Sequence, residues 1–162
     1  MLFSDTGGWT ATDQGRLEAL AAVGAVAVGV DTDAYLARLA SVAARCDQLV
    51  GDVEDLSRQL LREYPGAGSF SPILAGVGKG GALAGAILAQ TPAAAVGGAI
   101  SIDPWGALRT NHQFCPRAPS SGDGGKSQFW PVPILNAFWI VALTPAAPIP
   151  TRAHFETLQT LS

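Results

Sequence analysis

Between Ile73 and Leu88 the chain runs ILAGVGKGGALAGAIL. A short apolar run enters a glycine-rich turn and leaves it, without a linker, as an alanine-rich run. This order predicts a buried strand followed by a helix whose small residues let it lie close to a sheet. The turn admits three readings. Gly76 and Gly80 occupy the glycine positions of a nucleophile elbow, G-x-S-x-G, and Lys79 its free position, but Gly78 stands where the nucleophile belongs. Gly76, Gly78 and Gly81 also fit G-x-G-x-x-G, with Asp103 about twenty residues on, as a dinucleotide loop requires. The third reading is a plain tight turn. A Walker A loop is excluded, because Gly80 follows Lys79 where Ser or Thr must hold magnesium.

Helices and strands alternate around this unit. TATDQGRLEALAAVG predicts a helix capped by Thr10 or Thr12, with Leu17, Leu20 and Ala21 inward and Gly24 ending it. AVAVGVD, ending at Asp31, predicts a buried parallel strand. The next helix turns Leu36, Leu39 and Val42 inward. Leu49, Val53, Leu56, Leu60 and Tyr64 then form one helical stripe. PILAGVG, AVGGAISID and ILNAFWIVALTP predict further strands, and PTRAHFETLQTLS a terminal helix. Residues 104–133 are rich in Gly, Pro and Ser without a period and predict an irregular excursion. The alternation implies one α/β domain over 1–162, with a mostly parallel sheet and helices on both faces. Ligands bind beyond the carboxyl ends of such strands, which directs attention to Asp31, Gly78 with Lys79, Asp103 and Thr144.

Apolar residues make up 48% of the chain and charged residues 14%, which suits a well-buried interior. A net charge of −3 leaves no electrostatic footprint for nucleic acid, and the basic residues are scattered. Gly80 to Ile102 is uncharged, but Gln90, Thr91 and Pro92 interrupt it, so no transmembrane segment is expected. Met1 is followed at once by LFSDTGGW, without a signal peptide. Cys46 and Cys115 are free thiols in a cytosolic chain, or one disulfide in an oxidising compartment, and their spacing does not decide. His112 and His154 are the only histidines, and neither has a visible nucleophile partner.

FSDTGGW, Phe3 to Trp9, is a polar glycine turn before a helix, where an α/β-hydrolase places an oxyanion N–H. Together with AVAVGVDTDAYL, ILAGVGKGGALAGAILAQTPA, GGAISIDP and VALTPAAPIPTRAHFETL, it makes the chain resemble the bacterial virulence protein family AcvB/VirJ, a family of α/β-hydrolases. The resemblance spans about Leu2 to Leu158 and is closest to the amino-terminal of two tandem VirJ-like domains. It implies a periplasmic protein linked to hydrolysis of aminoacylated phosphatidylglycerol and, in plant-associated bacteria, to type IV secretion and virulence. Export would let Cys46 and Cys115 pair.

The family's elbow serine falls on Gly78, so no nucleophile carries over, while Thr6 and Gly7 fall near the oxyanion position. The strand before FSDTGGW is nearly gone, and so is the export signal. No strand or histidine of the kind that completes a triad follows His154. The resemblance thus implies an α/β-hydrolase-like domain truncated at both ends, a fragment or shortened form of the non-catalytic domain. It keeps a vestigial elbow at Gly76, Gly78, Lys79 and Gly80, and a candidate binding set of Asp5, Thr6, Gly7, Gly78, Lys79 and Asp103. The expected role is interaction or support beside a lysyl-phosphatidylglycerol hydrolase domain, with that domain or an anionic or aminoacylated phospholipid as partner. No metal or cofactor is expected. The alternatives are an esterase using Ser4 or Ser101, and an anion- or nucleotide-binding module built on residues 76–81.

Overall fold

The computed structural model describes residues 1–65, 71–92, 94–112, 114–115, 120–121, 126–129, 137–148 and 152–153. In chain order the elements are β1 (Leu2–Phe3), α1 (Ala11–Ala22), β2 (Gly29–Val30), α2 (Thr32–Ser41), α3 (Leu49–Glu63), β3 (Ile73–Val77) and α4 (Gly78–Gln90). After them come β4 (Gly98–Ile102), β5 (Leu108–Arg109), β6 (Ser120–Ser121), β7 (Lys126–Phe129) and β8 (Phe138–Ala142). The class is α/β, as the alternation predicts. One five-stranded sheet runs β2-β1-β3-β4-β8, with every neighbouring pair parallel.

From β1 the chain steps outward to β2, and from β3 it steps the opposite way through β4 to β8. Right-handed crossovers therefore place α1 on one face and α2, α3 and α4 on the other. Contacts of α4 with both α2 and α3 agree with this arrangement. β1 has only two residues, yet it occupies the inner position between β2 and β3.

The core lies on the α4 face. Leu74 and Ala99 point from the sheet toward Leu83, Ile87 and Leu88, and Leu49 and Val53 of α3 close over them. Nearly every residue of α4 is buried, as its small and uncharged sequence requires. The other face carries Ile73, Phe138 and Ile140, with exposures of 40%, 49% and 52%. α1 begins with a capping box. Thr10, not Thr12, caps it, accepting from the Asp13 N–H while the Asp13 carboxylate accepts from the Thr10 N–H.

Five expectations are corrected. The valine run before Asp31 is not a buried strand: only Gly29 and Val30 pair, on an edge, and Val26 is exposed. The two-residue β1 offers no further ladder to the rest of the run. Val42 points outward, because α2 ends at Ser41 and Val42 is already extended. Leu20 and Ala21 of α1 are exposed, while Leu17 is half-buried. The stretch 104–133 is not wholly irregular, since β5, β7 and β6 form a small antiparallel sheet. Its polar strands are too short to show an alternating pattern. α3 keeps its stripe at Leu49 and Val53, but Tyr64 lies exposed beyond the helix end. Of the terminal helix, Arg152 and Ala153 are helical, and residues 154–162, with His154, lie outside the described residues.

Candidate functional site

The reversal of strand order between β1 and β3 opens a crevice at their carboxyl ends, the usual ligand position in sheets of this order. Two backbone segments meet there, Ser4–Asp5 after β1 and Gly78–Lys79 after β3. β3 passes directly into α4 through Gly78, whose φ of +52° lies in the left-handed region. The glycines two residues to either side are imposed by contact. A Cβ on Gly76 would stand 2.3 Å from the Gly80 carbonyl carbon, and one on Gly80 would stand 2.3 Å from the Ser4 carbonyl oxygen. The turn is therefore as sharp as the glycine spacing predicts.

Asp5 fills the crevice. Its Oδ1 accepts from the Lys79 N–H at 2.9 Å, the free amide at the start of α4. A Cβ on Gly78 would stand 2.2 Å from the same oxygen, so the carboxylate occupies the space of a side chain at position 78. The Lys79 ammonium turns to Asp33 Oδ1 at 2.6 Å, while Asp33 Oδ2 accepts from the Gly7 N–H at 2.8 Å. Trp105, in the loop after β4, donates its backbone N–H to the Gly78 carbonyl at 3.1 Å, and its ring lies 6.0 Å from the Lys79 ammonium.

Asp103 follows β4, one strand beyond the crevice, and does not join this set. It has a φ of +46° and accepts from the Thr144 N–H at 2.7 Å and from Thr144 Oγ1 at 2.6 Å. Both oxygens are committed to joining the end of β4 to the end of β8. Asp31 is committed too, capping α2 through the Ala34 N–H and accepting from the Trp9 N–H.

The structure thus brings together Asp5, Gly7, Gly78 and Lys79, and adds Asp33 and Trp105, which sequence reasoning missed. The second aspartate of the D-T-D after the valine run was the signal for Asp33; nothing local marked Trp105. Thr6 is exposed beside the site. Four carboxylates, those of Asp5, Asp31, Asp33 and Asp103, stand along these strand ends against the Lys79 ammonium and the Arg152 guanidinium, which donates to the Thr144 carbonyl, an excess of negative charge that opposes anions.

Ser4 and Ser101 are both fully buried. Ser4 Oγ accepts from the Thr32 N–H, and Ser101 Oγ donates to the Gly81 carbonyl and accepts from Trp139 Nε1. Neither hydroxyl is presented to a substrate. His112 belongs to another cluster, its Nδ1 3.1 Å from Asp47 Oδ1. The adjoining cysteines, Cys46 and Cys115, form a disulfide. Among the described residues, no group of His, Cys, Asp and Glu is arranged to hold a metal ion. No described helix is long and apolar enough to cross a membrane.

The Asp33 carboxyl sits below the usual aspartate range, first because Lys79 donates to it and next because the Gly7 N–H does. A depressed folded-state pKa adds stability above the unfolded-state value and loses it as pH falls through the folded one. Asp33→Asn is therefore expected to lower stability modestly at neutral pH, to change it little at strongly acid pH, and so to flatten the acid limb of the stability curve. Thermal unfolding followed across the aspartate titration range checks this; an unchanged acid limb would show that the pair is not formed. Compared with known proteins, the chain matches no family model, no curated protein and no solved structure.

Proposed function

We propose that this chain is a catalytically silent, α/β-hydrolase-like domain with a supporting role beside a hydrolase domain acting on aminoacylated phosphatidylglycerol. One observation carries the reading. The Asp5 carboxylate stands where a side chain at position 78 would stand, and it accepts the Lys79 N–H. In an elbow that amide, one residue past the nucleophile, is aimed at the oxyanion. The acyl-transfer site is thus both without a nucleophile and filled by an internal carboxylate. The same carboxylate opposes a nucleotide phosphate at the glycine loop. A structural disulfide suits an oxidising compartment such as the periplasm.

The test is incubation of the oxidised protein with p-nitrophenyl butyrate and with lysyl-phosphatidylglycerol vesicles. Both substrates are expected to break down at the buffer rate. Turnover above it that disappears on Asp5→Asn or Ser101→Ala would overturn the reading. Added to a separately purified VirJ-type hydrolase domain, the chain is expected to raise that domain's rate on lysyl-phosphatidylglycerol. An unchanged rate would remove the supporting role.

A further inference from the structure

A pocket of about 530 Å³ lies on the α4 side of the sheet, between α2, α3 and the strands β1 and β2. Its volume falls in the range of small-molecule sites. Phe3, Val53 and Ile87, all buried core residues, form its apolar floor. Arg38, Arg58 and Arg62, far apart or a turn apart in sequence, come together at its rim.

The rim charges do not cancel. Arg38 is held by Asp52 at 3.0 Å, and Asp52 also accepts from the Tyr35 hydroxyl at 2.9 Å. Arg58 is ion-paired with Asp55. Arg62, one turn beyond Arg58 on α3, has no acidic partner among the described residues. One guanidinium charge is therefore left uncompensated above an apolar floor. A guanidinium offers a planar fork of donors that suits carboxylate and phosphate oxygens.

We propose that this pocket binds a single-chain amphiphile with an anionic head, its tail on Phe3, Val53 and Ile87 and its head on Arg62. The inference is independent of the silent-domain reading, because it uses no residue of the β1/β3 crevice. A fatty-acid carboxylate and a lipid phosphate share the required chemistry, and their decyl forms separate them.

The test is isothermal titration calorimetry on the intact, oxidised chain with decanoate, decyl phosphate, octanoate and decanol, all below their micellar concentrations. Saturable binding of either decyl anion is expected, the tighter of the two naming the head. Arg62→Ala is expected to weaken that binding at least fivefold, and Arg62→Glu to abolish it. Arg62 is exposed, so both variants are expected to fold, which their circular dichroism checks. Octanoate is expected to bind about tenfold more weakly than decanoate, from the loss of two buried methylenes. No saturable uptake of either anion would overturn the proposal. So would affinity indifferent to Arg62→Ala, or decanol binding as tightly as decanoate.

Discussion

Replacing Cys46 and Cys115 together by serine is expected to lower the unfolding free energy by roughly 4 kcal/mol, the chain-entropy value for a loop this long. The bridge joins residues separated by 69 positions, so cutting it releases much of the chain's middle in the unfolded state. In the folded state it fixes a local network. The Cys115 N–H donates to the Asp47 carbonyl, Phe114 is buried in the core, and Gln90 donates to Asp47 while accepting from the Leu49 N–H. Urea unfolding of the double serine variant, and of the native chain with and without reductant, measures the effect. A midpoint that ignores both changes would show that the cysteines are not joined.

Gly80→Ala is expected to cost about 3 kcal/mol, the upper end of overpacking penalties. Its new methyl would meet the Ser4 and Phe3 carbonyls at 2.3 and 2.5 Å. Both are backbone atoms at the end of β1, and neither can turn aside as a side-chain tip can. The matched control is Gly15→Ala in α1, where a Cβ would meet nothing within 4 Å. That change is expected to stabilise by roughly 0.5–1 kcal/mol through helix propensity. Chemical denaturation of the two variants compares them. Similar small shifts in both would contradict the close approach of α4 to β1.

The parts of the fold legible in sequence were those written in local chemistry. The small residues after Val77 announced α4, the stripe at Leu49 and Val53 announced α3, and Thr10 and Thr12 announced a helix start. Val42 and Tyr64 failed because their helices end just before them, and the larger failure depended on partners distant in sequence. The valines before Asp31 have a buried composition, but burial needs a neighbouring strand of equal length, and β1 supplies two residues. The candidate site divided the same way. Gly76, Gly78 and Gly80 were readable because a sharp turn excludes side chains at those positions. The use made of the turn was not, because Asp5 lies 74 residues from the amide it binds.

Asp5 and Gly78 also constrain the order in which this chain could change. A serine placed at position 78 alone meets the Asp5 carboxylate at once and must expel it, which also strips the Lys79 amide of its acceptor. A small residue at position 5 opens the space first, and only then does a hydroxyl at 78 have room. The two positions are therefore epistatic, and one of the two mutational routes to a hydroxyl at position 78 is far steeper than the other.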